Sequence, residues 1–353
     1  MVFTIITVVL NGAKILQPTI DSIKKQKSKH FDIEYLIIDG GSTDGTVDLI
    51  KKNLDFVSDY VSEPDLGIYN AMNKGIRMAT GDVVAFMNAG DWYEDGILEV
   101  VHDFFREQKA DVVAGKALRV VDGIEFGNVF EITREDLEQL HLCNQICHQS
   151  MFIKRDLFLR LGLYDEQYKI LADYDWNLRA YNAGASIKVI PNIVCHYDVS
   201  GISEIEDSSE ESRNIALRNL NGRVEFLDKI EALYCEKKRF LKVIDNRDDI
   251  ERKLKEKAEH YILYGVGIYG LKIYRLMKSM GIPVSFFLDK KRFGSVVDGI
   301  EIREPSTENT QEYLETHPDT EICITAIKYE KEMRAALQNL GVDEDRYFTL
   351  FEL

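Results

Sequence analysis

The sequence predicts an α/β protein in three parts: a strand–helix domain over residues 1–205, a helical linker over 206–258 and a small strand–helix domain over 259–353. Three observations carry this reading. Short Val- and Ile-rich runs alternate with helical patterns as far as Met87, which implies a parallel sheet covered by helices. Those runs stop abruptly at polar residues: Asn11, Asp39 and the Asn88-Ala89-Gly90-Asp91 turn. In an open α/β sheet the carboxyl ends of the strands form the ligand edge. Near the other end, an apolar run leads into Gly265-Val266-Gly267-Ile268-Tyr269-Gly270 and on to a second run closed by Asp289.

Each element follows from the pattern. Phe3 to Leu10 is continuous and β-branched, and Asn11-Gly12 breaks it. Ile15, Ile20 and Ile23 mark a helix. Tyr35 to Ile38 is the next strand, closed by Asp39-Gly40-Gly41-Ser42-Thr43-Asp44-Gly45, and Thr46 to Leu54 reads as a helix. Val57 to Ser62 is a short strand, Ile68 to Met78 a helix with Ala71 and Gly75 on a small face, and Val83 to Met87 a buried strand. Further on, Val112 to Gly115, Met151 to Ile153 and Lys188 to Val194 read as strands, and Asp173 to Ala183 as a helix. Charge dominates from Glu204 to Glu259, with Leu217, Leu220, Val224, Leu227, Ile230 and Leu233 at helical spacing; a coiled coil is the sharper alternative to packed helices there. Tyr261 to Tyr264, Pro283 to Leu288 and Glu321 to Ala326 are the strands of the last part.

Composition narrows the functional classes. The 353 residues carry a formal charge of −16, which opposes a nucleic-acid footprint and allows at most peripheral contact with an anionic membrane. The run from Ile5 to Leu10 lacks a basic n-region, and neither it nor any other run has the length of a signal peptide or span, so a cytoplasmic location is expected, the inner face of the membrane included. The five cysteines are scattered, and the default is buried reduced thiols. Cys143, Cys147 and His148 hint at zinc, but no second pair at ligand spacing completes a site.

The strand tips carry the chemistry. Asp39 and Asp44 follow the second strand, Asp65 the third and Asp91 the fourth. Carboxylates beside oxygen-rich loops suit Mg²⁺ or Mn²⁺, which clamp a diphosphate and stabilise it as a leaving group. The plainer alternative is that each Asp caps the next helix, and it is strongest for Asp44.

Thr7-Val8-Val9-Leu10-Asn11, Ile38-Asp39-Gly40-Gly41-Ser42-Thr43-Asp44-Gly45-Thr46, Asp65-Leu66-Gly67-Ile68-Tyr69-Asn70-Ala71-Met72-Asn73-Lys74-Gly75 and Ala79-Thr80-Gly81-Asp82 together resemble the inverting glycosyltransferases of family 2, of the bacterial polysaccharide type. The resemblance spans roughly residues 1 to 205 and implies the GT-A nucleotide-diphospho-sugar transferase fold, a nucleotide-sugar donor (UDP-linked favoured) and a saccharide or lipid-linked acceptor of cell-surface polysaccharide synthesis. By the same resemblance Asp39 contacts uracil with Asn11 beside it, Asp65 and Asn73 help hold ribose and sugar, and Asp91 ligates Mn²⁺ or Mg²⁺. The family usually has two acids where this chain reads Ala89-Gly90-Asp91, so the metal rests on one carboxylate, with Asn88 as a compensating polar contact.

Downstream, Cys147-His148-Gln149-Ser150 and Leu171-Ala172-Asp173-Tyr174-Asp175-Trp176 resemble the acceptor half, in which Asp173 matches the general base and Ala172 stands where a glutamate often sits. Asp175 reads as a structural pair and Trp176 as core. His148 and His196 are acceptor-side or diphosphate candidates, each weighed against a buried structural histidine. The last part resembles the small Rossmann-like domain at the front of bacterial sugar acyltransferases. That implies nucleotide binding through Gly265, Gly267, Gly270 and Asp289; the plainer reading is a packing or homo-oligomerisation module. Two other functions stay open: a non-catalytic nucleotide-sugar-binding or scaffold protein, and an NAD-dependent sugar modifier acting through the last part.

Overall fold

The computed structural model describes all residues except 122–123, 131–136, 143, 145, 199–206 and 326–328. Cys143 of the zinc reading and the expected boundary at residue 205 fall outside the described residues. The chain forms two compact units, Met1–Tyr234 and Cys235–Leu353.

In the first unit the strands are β1 (Val2–Val9), β2 (Asp32–Asp39), β3 (Asp59–Ser62), β4 (Val83–Phe86), β5 (Trp92–Tyr93), β6 (Val112–Val121), β7 (Ile124–Phe130), β8 (Met151–Lys154) and β9 (Ile187–Asp198). The helices are α1 (Leu16–Lys24), α2 (Thr46–Lys52), α3 (Ile68–Met78), α4 (Ile97–Glu107), α5 (Arg155–Leu161), α6 (Ala172–Asn182) and α7 (Ser209–Arg218), with α8 (Leu227–Asp245) running on into the second unit. The strands form one mixed sheet in the order β3-β2-β1-β4-β8-β6-β9-β5, with β7 on β6. β3, β2, β1 and β4 are parallel, as the alternating pattern predicts. β8 runs antiparallel to both β4 and β6, and β5 antiparallel to β9.

Parallel register fixes the ligand edge. Val9 of β1 stands opposite Asp39 of β2, and Asp39 opposite Ser62 of β3. The tips of these strands therefore open at one edge. Behind them, Ile6, Val8, Leu36, Ile38, Val84 and Phe86 pack against Tyr69, Met72 and Ile76 of α3. Complete burial of one such side chain contributes about 1.5–3 kcal/mol. Glycines allow the close approaches. At Gly81 a Cβ would lie 2.6 Å from Thr4 Oγ1, 2.8 Å from the Val2 carbonyl oxygen and 3.0 Å from the Thr4 nitrogen. Two of those atoms are backbone of β1 and cannot swing aside. Gly81→Ala is therefore expected to cost about 2 kcal/mol of overpacking strain. In a unit of this size that lowers Tm on the order of 5 °C, measurable by calorimetry.

The second unit has its own sheet. Its strands are β10 (His260–Tyr264), β11 (Val284–Leu288), β12 (Val296–Val297), β13 (Ile300–Arg303), β14 (Thr320–Ile324) and β15 (Tyr347–Thr349). The order is β12-β13-β11-β10-β14-β15, parallel except for β12. The helices are α9 (Arg247–Lys257), α10 (Ile268–Ser279), the short α11 (Tyr313–Thr316) and α12 (Glu330–Asn339). Ile262, Tyr264, Phe286, Leu288, Ile322 and Ile324 form its core with Leu337. Among the described residues no helix is long and apolar enough to cross a membrane.

Candidate active site

The donor-side loops are built by short carboxylate bonds to their own backbone. Asp39 is fully buried. Its Oδ2 accepts from the Gly41 N–H (3.2 Å), the Ser42 N–H (3.0 Å) and the Ser62 hydroxyl (2.7 Å), and its Oδ1 from the Ser42 hydroxyl. Asn11 sits in left-handed backbone at φ 52°, and its Oδ1 accepts from the Thr43 N–H at 2.9 Å. Asp44 receives the Ala13 N–H at 3.0 Å and the Thr46 hydroxyl at 2.5 Å. The loops after β1 and β2 are thus stapled to each other. Asp65 caps the turn into α3 through the Gly67 N–H (2.9 Å) and stands against Gly40, where a Cβ would come within 2.5 Å of its Oδ2.

Asn73, expected to help hold ribose and sugar, has its amide engaged within the fold. It is buried on α3, and its Nδ2 donates to the Tyr164 carbonyl (2.9 Å) and to Glu166 Oε1 (2.8 Å), while its Oδ1 accepts from the Tyr164 N–H (3.0 Å). Its amide fixes the loop before α6 and so acts as a positioning group.

Asp91 and Asp173 face one cavity of about 620 Å³, with Asn88, His148 and Gln149 between them. Asp91 is 6% exposed; its Oδ2 accepts from Gln149 Nε2 (2.8 Å) and its Oδ1 from the Asp198 N–H (3.0 Å). Burial pushes its carboxyl up to about 6, although both hydrogen bonds favour the charged form. The Gly90 N–H and the Asp91 carbonyl both engage the Thr19 hydroxyl, at 3.0 and 2.7 Å, which fixes the turn; Gly90 itself has φ 99°. Asp173 lies in the first turn of α6, where the helix dipole favours a negative charge. The Tyr69 hydroxyl is 2.9 Å from its Oδ1 and 2.6 Å from the Ile170 carbonyl, and Asn144 Nδ2 donates to its Oδ2 at 3.1 Å.

His148 joins the two halves. Its Nδ1 lies 3.6 Å from Asp173 Oδ2, and its Nε2 contacts the Asn88 amide at 3.0 Å. Burial works against its charge, but the pull of Asp173, with Cys147 and Asp91 nearby, raises it above the ordinary imidazole value. His196 is not on this cavity. Its Nε2 meets Glu94 at 2.7 Å and its ring stacks on Trp92 at 5.2 Å. Asp175 forms a buried pair with Arg179 (2.8 Å), and Trp176 is core.

The donor set fits a hard divalent cation. Among the described residues no Lys or Arg pairs with Asp91, and Asn88 Oδ1 is a buried oxygen with no hydrogen-bond partner. Asp198, whose backbone already touches Asp91, lines the same cavity. Sequence reading passed over Tyr69, Asn144, Gln149 and Asp198 as site residues. It also missed Glu211 of α7, which accepts the Lys169, Ile170 and Leu171 N–H groups at 2.6–3.0 Å and holds the loop ahead of α6. Tyr69, inside the Asp65 to Gly75 motif, and Gln149, beside His148, had a local signal.

Comparison with known proteins bears on the family and the fold. The profile of "Glycosyl transferase family 2" matches residues 4–158. A "PGL/p-HBAD biosynthesis glycosyltransferase" of Mycobacterium bovis is 35% identical over 197 residues, which is 54% of this chain and 74% of the relative. Among solved structures, Staphylococcus aureus TarS 1–349 in complex with UDP-GlcNAc superposes with a TM-score of 0.53 at 21% identity, covering 67% of this chain and 72% of that one. The longer TarS structure gives 0.52 at 22% identity, and the match spans 43% of its length. The mycobacterial relative and the matched profile place this chain in glycosyltransferase family 2, and the superposition on TarS agrees with the GT-A fold.

Proposed function

We propose that the chain is an inverting, metal-dependent glycosyltransferase that moves a sugar from a nucleotide-diphosphate donor, UDP-linked by preference, to a saccharide or lipid-linked acceptor. One observation carries this: Asp91, in the turn after β4, and Asp173, in the first turn of α6, line a single cavity. Donor-side support comes from the stapled loops of Asn11, Asp39 and Asp65. Asp91, with Asn88 and Asp198 near it, would hold Mn²⁺ or Mg²⁺. Such an ion, when bound, neutralises the charge that develops on the departing diphosphate.

The chain's own part of the reaction is proton and position control. Asp173 takes the proton of the acceptor hydroxyl as that oxygen bonds to sugar C1. The C1–O bond to the diphosphate breaks on the opposite face, and the nucleoside diphosphate leaves with the electron pair. His148, drawn toward its charged form by Asp173, would add positive potential near the leaving group when protonated. Incubation with Mn²⁺ and a panel of nucleotide sugars is expected to release nucleoside diphosphate from one of them, faster when acceptor is added. Donor binding without hydrolysis or transfer would instead favour a non-catalytic nucleotide-sugar-binding protein.

A further inference from the structure

A second group of metal-ligating side chains lies at the other end of the parallel strands. His30 and Phe31 lead into β2, whose first residue, Asp32, stands opposite Val2 at the start of β1. Glu99, His102 and Asp103 come from α4, where the His102 ring packs 5.6 Å from that of Phe31. This is the end of the sheet away from the ligand edge, and none of the four residues lines the cavity of Asp91 and Asp173.

Helix packing alone does not explain the group. The buried face of α4 is Ile97, Leu98, Val101, His102 and Phe105, and His102 is its polar member at 4% exposed. A leucine would fill that place without the cost of burying a polar ring. Adjacent residues of a helix do not face each other. Yet His102 Nδ1 and Asp103 Oδ1 meet at 3.1 Å. Both side chains turn toward a point that Glu99, one turn earlier, also reaches: one donor atom from each of the three lies within 4.8 Å of the others. His30 closes the group from outside the helix. Its Nδ1 touches Glu99 Oε1, and its ring stacks on that of His102 with centroids 6.3 Å apart. Ser28 supports both residues, since its hydroxyl accepts from the His30 N–H at 3.1 Å and also bonds the Glu99 carboxylate. Metal ligands are commonly oriented by such outer partners.

Two imidazoles and two carboxylates form a donor set for a borderline cation, zinc before magnesium or calcium, which take oxygen. Zinc bonds such donors at about 2.0–2.1 Å, which sets neighbouring donors about 3.4 Å apart. Rotation of Glu99, Asp103 and His30, all partly open to solvent, closes the remaining distance. Competing contacts are weak. Arg106 lies 3.7 Å from Asp103 in an exposed pair, which contributes little. The His30–Glu99 and His102–Asp103 contacts each share a proton that a cation displaces. α4 follows β5, which begins at Trp92 directly after Asp91, so an ion here would anchor the segment that leaves the donor turn.

We propose that His30, Glu99, His102 and Asp103 bind Zn²⁺ and clamp α4 to the start of β2. The test is calorimetric titration of the metal-free full chain with Zn²⁺ and with Mg²⁺. Wild type is the reference, and the comparison is made in Asp91→Ala, which removes the carboxylate of the reaction cavity. Asp91→Ala is expected to bind one zinc ion, to gain on the order of 5 °C in Tm at saturation, and to show no magnesium binding. Adding His30→Ala or Glu99→Gln should weaken zinc about a hundredfold or more, and adding Ser28→Ala about tenfold. His30 and Glu99 carry exposed side chains, so each variant should melt, without metal, as Asp91→Ala does; if one fails to fold, the other carries the test. The proposal is overturned if Asp91→Ala binds no zinc, if His30→Ala and Glu99→Gln leave the affinity unchanged, or if magnesium binds Asp91→Ala as well as zinc does.

Discussion

Asp173→Asn is expected to lower kcat by about 10³, within the range general-base catalysis contributes, while leaving KM for the donor unchanged. The substitution keeps the shape of a buried side chain. Its oxygen can still accept from Asn144 Nδ2, and its new N–H₂ group can donate to the Tyr69 hydroxyl oxygen, which keeps its own proton for the Ile170 carbonyl. The hydrogen-bond network therefore closes in both forms, and the stability cost should stay under about 1 kcal/mol. A second readout separates chemistry from packing. Burial alone would lower the His148 pKa, and Asp173 is the leading influence that raises it. In Asp173→Asn the imidazole should titrate at lower pH, visible by NMR. Asp175→Asn is the contrast. Asp175 is 2% exposed and holds Arg179 at 2.8 Å and Asn219 at 3.1 Å, so its loss leaves a half-buried guanidinium short of its partner. That variant should lose stability, by up to about 3 kcal/mol, rather than show a selective loss of kcat. A drop in kcat of less than tenfold for Asp173→Asn would remove it as the base.

These two acids stand two residues apart, and the sequence separates them only through a resemblance; the structure separates them by partners. Local patterns reveal what depends on neighbours in the chain. The parallel strands β1, β2 and β4 are legible because burial on both faces forces continuous apolar runs, and the strand tips follow from where those runs stop, whereas β3 is a short edge strand with exposed ends. β5 and β7 are not legible. Trp92–Tyr93 is too short for any period and exists as a strand because it pairs with Cys195 and His196 of β9. β6 and β9 are each longer than their apolar runs suggest, since their outer residues pair with each other, as Arg119 does with Tyr197. The site shows the same division. Asp91 and Asp173 are visible as carboxylates in suggestive positions. Tyr69 becomes a partner of Asp173 only across 104 residues, and Gln149 of Asp91 only across 58. Asn73 carries an amide that suits a sugar hydroxyl as well as a backbone, and only the fold shows that it serves Tyr164 and Glu166. The single acid left by Gly90 also gains context, because the Asp198 backbone and Gln149 take the places around Asp91.

Asp91→Asn is expected to stabilise the metal-free protein at pH 8 while abolishing transfer. The sign follows from linkage. The folded carboxyl sits at about 6, above the unfolded value near 3.9, so the folded state binds the proton more tightly. The resulting stability is fully present below pH ~4 and is lost as the pH rises through about 6. Above that, the buried anion has Gln149, one backbone N–H and the nearby His148 to offset its desolvation. A shift of about two units corresponds to about 3 kcal/mol at most. Asparagine removes the titration, and a rotated Gln149 amide can accept from its N–H₂ group. Part of the gain is lost with the exchanged hydrogen bonds, which leaves a Tm increase on the order of 5 °C at pH 8 and none at pH 4. Mn²⁺ should reverse the order. It should raise the Tm of the wild type at pH 8 by binding the native state alone, do so weakly at pH 5 where the carboxyl holds its proton, and leave Asp91→Asn unmoved. Equal melting of the two metal-free proteins at pH 8 would show that Asp91 is not a strained anion. Equal response to Mn²⁺ would show that it is not the ligand. Stabilisation on removing the charge, together with loss of the metal response, is what a site that sacrifices fold stability for a ligand should give.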